Sequence, residues 1–183
     1  MGQLNIAVVV GSIRKDSFNR RFAEALTRLA PAEVKFNFVR IDDLPHYNQD
    51  EENSPGPEVD RLREEIRAAD GVLFVTPEHN RSLPGVLKNA IDHASRPPGK
   101  SAWAGKPAGV TGVSPGAIGA AMAQQHLRNI IACMNMPQLS TPEMFIQWKD
   151  GLVDENGEVG PASRDFMQKF VTTFIAWVKK HQS

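Results

Sequence analysis

The sequence predicts an α/β fold in which helices cover both faces of a five-stranded parallel sheet. Short apolar segments rich in β-branched residues alternate with longer segments whose apolar residues recur every three or four positions. Parallel strands need a crossover connection, which a helix supplies, so this alternation favours a parallel sheet. With 183 residues the chain has the length of a single domain spanning 1–183, and it can bury a core without disulfides.

The predicted strands and helices follow one another without an internal repeat. The first strand, residues 4–10, is apolar and stops at Gly11, and the next helix has an apolar stripe over residues 18–29 that Pro31 ends. Five such strands fit a doubly wound sheet in the flavodoxin-like order 2-1-3-4-5. The other strands are predicted at 34–41, 71–76, 106–112 and 138–146, the other helices at 59–69, 83–94, 118–134 and 166–177, and a long surface loop at 42–57.

Composition and charge exclude several classes of function. Lys plus Arg and Asp plus Glu each total 21, so there is no net positive charge to attract nucleic acid. The apolar run at residues 6–10 is far shorter than the roughly 18 residues of a membrane span, and no basic leader precedes it, so we expect a cytoplasmic protein. The single Cys133 cannot form an internal disulfide, and we expect it to be a buried apolar filler. Histidines are too scattered for a local metal-ligand motif, and we expect no metal.

Three loops are predicted to line a ligand crevice. In a doubly wound sheet the crevice lies outside the carboxyl ends of the strands, at the point where the strand order reverses. The loops that follow the first, third and fourth strands meet there, and they cover residues 11–18, 77–82 and 112–117.

The first of these loops has the features of a phosphate-binding site. Gly11 turns the chain, and Ser17 is a natural N-cap, so free backbone N–H groups gather beside the positive end of a helix. Ser12 and Asn19 add polar groups, and Arg14 adds a planar cation that suits phosphate oxygens. The alternative is an ordinary capped helix with solvated cations. The motifs G-x-x-x-x-G-K-[ST] and G-x-G-x-x-G are both absent, so a monophosphate fits better than a triphosphate or a dinucleotide.

The second and third loops suit a flat heterocycle. Two prolines and a glycine stiffen the second loop, P-E-H-N-R-S-L-P-G, and Asn80 offers both a donor and an acceptor there. Glu78 and His79 are candidates for an acid–base pair, although solvated loop side chains are the plainer interpretation. The third loop, G-V-S-P-G-A-I-G, has small residues that let a ring approach the backbone or that simply ease helix–sheet packing.

Together these segments resemble the NAD(P)H-dependent FMN reductases. The resemblance is carried by G-S-I-R-K-D-S-F-N, by F-V-T-P-E-H-N-R-S-L-P-G-V-L-K-N-A-I-D and by G-K-P-A-G-V-T-G-V-S-P-G-A-I-G, and it covers about residues 4–145. The bacterial quinone, chromate, ferric and azo reductases are the most similar branch. The resemblance implies that NAD(P)H donates a hydride to N5 of bound FMN, which then reduces a small-molecule acceptor at the same open face. This ping-pong scheme needs no catalytic side chain.

The resemblance also implies the residues of the site. Ser12, Arg14, Ser17, Phe18 and Asn19 would hold the phosphate region of FMN, while Pro77, Glu78, His79 and Asn80 would contact the isoalloxazine, with Ser114, Pro115 and Gly116 closing the other side. His79 departs from the family's usual tyrosine and introduces an imidazole at this position. Arg81 and Arg96 are candidates for binding a nucleotide phosphate or an anionic acceptor, and are equally ordinary surface cations.

Assembly and two alternative functions complete these expectations. The resemblance implies a homodimer or a tetramer, with the contact at the 42–57 loop and the helix around residues 83–96. A non-enzymatic FMN-binding electron carrier or regulatory module is one alternative, although carriers of the flavodoxin type are strongly acidic and this chain is neutral. A reductase that releases reduced FMN as its product is the other. The sequence does not choose between NADH and NADPH.

Overall fold

The computed structural model describes residues 3–182, and its strands form one parallel sheet. The strand order is β2-β1-β3-β4-β5, which confirms the predicted flavodoxin-like topology. The strands are β1 (Leu4–Val10), β2 (Val34–Phe38), β3 (Gly71–Val75), β4 (Ala108–Ser114) and β5 (Phe145–Gln147). The helices are α1 (Phe18–Thr27), α2 (Pro57–Ala68), α3 (Gly85–Ala94), α4 (Ala121–Cys133) and α5 (Pro161–Lys180).

Each face of the sheet carries its own apolar core. Alternate residues of β1 point to opposite faces, so Val8 packs with α1 and α5, whereas Val9 packs with α2, α3 and α4. Phe170 on the first face and Trp103 on the second are fully buried. Burial of one such large side chain contributes about 1.5–3 kcal/mol, so the two cores make the sheet a firm platform for the loops at its carboxyl edge.

Strands β3 and β4 approach each other closely just below that edge. A Cβ atom at Gly112 would overlap the carbonyl oxygen of Thr76, and the Thr76 N–H donates to the Thr111 carbonyl at 2.9 Å. Only glycine leaves room for this approach, so the two loops that follow β3 and β4 begin side by side.

The strand boundaries differ from the prediction in three places. β2 ends at Phe38 rather than at residue 41, and β4 lies two residues later than predicted. The predicted fifth strand over 138–146 is reduced to a single bridge at Gln138 and the three residues of β5. Pro142 interrupts it, because proline has no N–H to donate to a sheet ladder.

The apolar residues that predict α4 are buried in part, since Leu127 and Ile131 are fully buried whereas those at the start of the segment are not. Ile118 lies before the helix and is exposed, as is Met122, whereas Gln124 and Arg128 are buried. Both buried side chains donate to backbone carbonyls of the segment before β5, at 2.8 Å each, so they tie α4 to the edge of the sheet. Burial lowers the pKa of the Arg128 guanidinium, and the Glu143 carboxylate opposes this shift. The apolar pattern does not predict the burial of these two polar side chains, because the carbonyls that accept hydrogen bonds from them lie on a distant segment.

The predicted surface loop at 42–57 is docked onto α3 over part of its length. The Pro45 carbonyl accepts a hydrogen bond from Asn89 Nδ2 at 2.7 Å and lies 2.9 Å from His93 Nε2. The Tyr47 N–H donates to Asn89 Oδ1 at 2.8 Å, and a single 3₁₀ turn, Gln49–Glu51, follows. Desolvation and the neighbouring Glu52 raise the pKa of the Tyr47 phenol. The loop and α3 therefore form one continuous surface.

The predicted burial of Cys133 is wrong. Cys133 is exposed rather than buried, because it lies two positions after the buried Ile131 and so on the opposite side of α4. Among the helices of residues 3–182, none combines the length and the apolar composition that a bilayer crossing requires.

Candidate active site

A cavity of about 630 Å³ opens at the carboxyl ends of β1, β3 and β4. Its volume falls within the range of sites for small molecules and cofactors. The three predicted loops supply most of its wall, and the start of α3 supplies the rest. The lining residues are Gly11, Ser12, Ile13, Arg14, Ser17, Phe18, Asn19, Pro77, Glu78, His79, Pro84, Gly85, Val86, Val113, Ser114 and Pro115.

The first loop presents backbone donors at the N-terminus of α1. Ser17 caps the helix, since its Oγ accepts a hydrogen bond from the Arg20 N–H at 3.2 Å. Within residues 3–182, the N–H groups of residues 12–17 make no hydrogen bond to the protein. Free donors beside a helix N-terminus form a site for a phosphate or another anion.

Arg14 is held beside these donors by an aromatic stack. Its guanidinium carbon lies 5.4 Å from the centre of the Phe18 ring, and Phe18 stacks on Trp148 with ring centres 4.7 Å apart. Arg21 lies over Trp148 at 5.1 Å. Trp148 lies far along the chain after β5, and no local signal in the sequence points to its role here.

A smaller cavity of about 250 Å³ shares residues 12–14 with the main one. Its other arginines already have acidic partners: Arg20 pairs with Glu24 at 2.6 Å and Arg40 with Asp42 at 2.9 Å. The hydrogen bond from Arg40 lowers the pKa of the Asp42 carboxyl. The ion pairs of residues 3–182 do not include Arg14, which leaves its charge available to a ligand.

Asn19 joins α1 to β4 beneath the cavity. Its Nδ2 donates to the Val113 carbonyl at 2.9 Å, and its Oδ1 accepts from the Val113 N–H at 2.9 Å. The side chain is buried, so neither bond is shared with water. Asn19 lines the cavity as predicted, but its amide oxygen and one amide hydrogen are engaged with the sheet.

Glu78 connects the second loop to the start of α4. Its Oε2 accepts hydrogen bonds from the N–H groups of Met122 at 2.9 Å and Ala123 at 3.2 Å. Helix α4 has no cap of its own, because its N-cap residue is Ala120, which has a positive φ of 62°. The Glu78 carboxylate therefore takes the place that a capping side chain usually fills.

The next residues form a tight turn at the rim. His79 and Ser82 exchange backbone hydrogen bonds at 2.9 and 3.0 Å, and the two residues between them, Asn80 and Arg81, have positive φ values of 51° and 62°. This is the pattern of a type I′ turn, which is unfavourable for arginine. The Ser82 hydroxyl lies 3.0 Å from Nδ1 of His126 on α4.

The remaining predicted residues lie around the cavity at different distances. Ser114 and Pro115 line it, and Ser114 Oγ donates to the Gly116 carbonyl at 3.2 Å. Asn80, Arg81 and Gly116 are exposed and are not among the lining residues. Arg96 follows the far end of α3, roughly 16 Å from the cavity-lining Gly85 at 1.5 Å per helical residue.

Comparison with known protein families decides the class of protein. Residues 4–149 match the family described as NADPH-dependent FMN reductase. The chain belongs to the NADPH-dependent FMN reductase family. The resemblance drawn from the three loop motifs is thereby confirmed, and FMN with NAD(P)H is the cofactor system of this family.

Relatives of this FMN reductase family member cover nearly its whole length. It is 51% identical over 180 residues to a quinone reductase of Pseudomonas putida, covering 98% of this chain and 97% of that protein. It is 51% identical over 178 residues to a 2-hydroxy-1,4-benzoquinone reductase of Burkholderia sp, covering 96% and 97%. Among solved structures, FerB, a flavoenzyme NAD(P)H:(acceptor) oxidoreductase from Paracoccus denitrificans, is similar with a TM-score of 0.94 at 45% identity, covering 97% of this chain and 98% of that one.

The cavity of this family member fits FMN in two respects. The free N–H groups of residues 12–17 and the unpaired Arg14 suit a phosphate. The opposite walls carry apolar side chains that suit a flat ring system, among them Pro77, Pro84 and Val86. Residues 3–182 hold no group of three or more His, Cys, Asp or Glu side chains placed to bind a metal ion.

The Asn19 bridge predicts a stability effect. Asn19→Ala removes both hydrogen bonds and leaves the Val113 N–H and carbonyl buried without partners, at a cost of about 1–3 kcal/mol for each group. Asn19→Asp keeps the acceptor but sets a buried carboxylate oxygen against the Val113 carbonyl oxygen, so we expect a loss at least as large as that of Asn19→Ala. Urea unfolding measures both variants, and an Asn19→Ala protein as stable as the wild type would contradict the bridging role.

Proposed function

We propose that this protein is an NAD(P)H-dependent, FMN-containing oxidoreductase that passes electrons to quinones. The observation that carries the proposal is a single cavity in which free backbone donors and an unpaired Arg14 adjoin apolar walls, in a member of the FMN reductase family. Two relatives at 51% identity are a quinone reductase and a 2-hydroxy-1,4-benzoquinone reductase, which supports quinones as the acceptor class.

The proposal assigns the lining residues to the two ends of FMN. Ser12, Arg14 and Ser17 bind the phosphate region with Phe18 and Asn19 behind them, while Pro77, Glu78 and His79 lie along the isoalloxazine and Ser114 and Pro115 close its other side. Asn80 and Gly116, which do not line the cavity, contact the ring from the rim under this proposal. FMN held by these residues would supply the chemistry that carries a hydride from NAD(P)H and electrons to the acceptor. The protein contributes orientation and an open face, and the whole chain acts as one FMN-binding domain.

The residues of the site have distinct tasks under this proposal. Arg14 supplies charge to the phosphate, and the Phe18–Trp148 stack keeps its guanidinium in place. Pro77 and Pro84 give the cavity a stiff wall, because proline fixes its own φ angle. The Asn19 bridge keeps the two loops that flank β3 at a constant separation.

We include a broad range of acceptors in the proposal. The cavity is open to solvent, and the rim next to the ring site carries exposed polar side chains such as His79 and Arg81. Chromate, ferric complexes and azo compounds therefore join quinones as proposed acceptors, with Arg81 binding those that are anionic. A single cysteine is in keeping with a cytoplasmic location, which the proposal also includes.

We propose further that the protein assembles as a homodimer or a tetramer through the 42–57 loop and α3. Hydrogen bonds from Asn89 and Tyr47 join these two elements into one continuous surface. Arg96 lies at the far end of α3, so its proposed contact with a donor or acceptor is made in the cavity of a second copy.

An anaerobic titration tests the proposed activity. FMN-reconstituted protein is titrated with NADH and, separately, with NADPH, while the visible flavin band is followed. We expect bleaching that a quinone reverses, with the flavin retained on the protein after filtration. Bound flavin that neither nucleotide bleaches would favour an electron carrier or a regulatory module. Flavin lost from the protein after reduction would favour release of reduced FMN as a product.

Arg14 provides a test of the phosphate site. Arg14→Ala removes a charge-assisted hydrogen bond, so we expect the Kd for FMN to rise roughly ten- to hundredfold. The matched control is Lys15→Ala, which removes the same charge from a neighbour outside the cavity lining and should change the Kd about twofold or less. Equal effects of the two substitutions, measured by fluorescence titration, would mean that only general charge matters.

The assembly proposal has its own measurement. Sedimentation velocity at micromolar protein concentration should show a dimer or a tetramer, and a substitution of Asn89 by Ala should shift the distribution toward smaller species by loosening the docked loop. A wild-type protein that sediments only as a monomer would contradict it.

A further inference from the structure

The segment that follows β3, residues 77–82, is fastened to α4 at two points. The first is the pair of hydrogen bonds that Glu78 Oε2 accepts at the start of α4, and the second is the 3.0 Å contact between Ser82 Oγ and His126 Nδ1. His79 lies between the two points and lines the cavity. The shape of this wall therefore depends on a helix that itself contributes no lining residue.

The hydrogen bonds to Glu78 stabilise the start of helix α4 as well as the loop. The first N–H groups of a helix have no partner within the helix, and here the N-cap residue, Ala120, has no side-chain oxygen to offer. A carboxylate at this position also interacts favourably with the helix dipole. Glu78 Oε2 is thus committed to two backbone donors, Met122 and Ala123, whereas a residue that transfers protons would direct its carboxylate to a substrate.

The turn between the fastenings carries backbone strain. Asn80 and Arg81 both have positive φ, a conformation that side chains other than glycine and asparagine adopt at a cost. Such a conformation persists only where its surroundings hold it in place. The two contacts with α4 and the paired backbone bonds of His79 and Ser82 are the constraints that hold it here.

We propose that Glu78 is a positioning residue that shapes the ring side of the cavity by capping α4. It holds Pro77 and His79 in their places before FMN arrives, so that binding does not have to order this wall. This inference rests on the proposed function only in taking FMN as the ligand. The hydrogen bonds between residues 77–82 and α4 are present in the protein without a ligand. In this role Glu78 neither transfers a proton nor forms a covalent bond during turnover.

The test compares three substitutions. Glu78→Ala removes the cap, Glu78→Gln keeps an acceptor oxygen at the same reach, and Glu143→Ala is the control, because it removes a carboxylate that contacts α4 at Gln125 and Arg128 away from the cavity. Hydrogen exchange of the ligand-free proteins reports on the amides of His79 and Ser82, which are bonded to each other's carbonyls. FMN titration and visible circular dichroism report on the bound ring.

We expect Glu78→Ala to exchange these two amides faster and to bind FMN about five- to thirtyfold more weakly, the factor that corresponds to the loss of one helix cap. Its flavin dichroism should change in shape. Glu78→Gln should recover most of the FMN affinity that Glu78→Ala loses, and its kcat–pH profile should keep the shape of the wild-type profile. Glu143→Ala should melt at a lower temperature while its flavin spectrum stays the same.

Three results would overturn the proposal. If the His79 and Ser82 amides of Glu78→Ala exchange at the wild-type rate, the cap does not hold the turn. Wild-type FMN affinity and dichroism in that variant, with only a lower melting temperature, would reduce Glu78 to a structural role. A Glu78→Gln protein that binds FMN normally but loses turnover and its pH profile would make Glu78 a proton carrier. If the wild type itself does not bind FMN, the proposed function fails, and the exchange measurement still decides whether Glu78 positions the loop.

Discussion

The shape of the cavity depends most on two hydrogen bonds between the Asn19 side-chain amide and the backbone of Val113. These bonds link α1 to β4, and β3 lies between β1 and β4 in the sheet. They therefore fix the separation of the loop after β1 and the loop after β4, which face each other across the site. Because the Asn19 side chain is buried, water does not compete for either bond, and their loss leaves two polar groups unsatisfied. The free donors of the first loop therefore keep a constant position relative to the loop that follows β4.

The same principle of side chains satisfying distant backbone groups recurs around the site. Glu78 caps a helix on another element, and Gln124 and Arg128 anchor that helix to the segment before β5. The close approach of β3 and β4 at Gly112 brings the second and third loops together. These contacts hold the walls in place in the protein alone, which reduces the entropy that a ligand would otherwise have to remove on binding.

Much of this arrangement could be predicted because its signals are local. The buried strand before Gly11, the N-cap Ser17 and the prolines at 77 and 84 mark where strands end and loops begin, and the sheet order then brings the loops together. Trp148 and the capping role of Glu78 could not be predicted, because each depends on a partner far along the chain. The burial of Gln124 and Arg128 could not be predicted for the same reason, since it depends on carbonyls of a segment that the apolar pattern does not reveal.

We propose that the three loops at the carboxyl edge of the sheet form a flavin site that exists before the flavin binds. The decisive measurement is a crystal structure of the protein with FMN. We expect the phosphate at the N–H groups of residues 12–17 beside Arg14, and the ring between residues 77–79 and 113–115. The Asn19–Val113 and Glu78–α4 bonds should be intact, with loop backbones moved by less than about 1 Å. FMN bound elsewhere, or bound here only after these loops rearrange, would contradict the proposal.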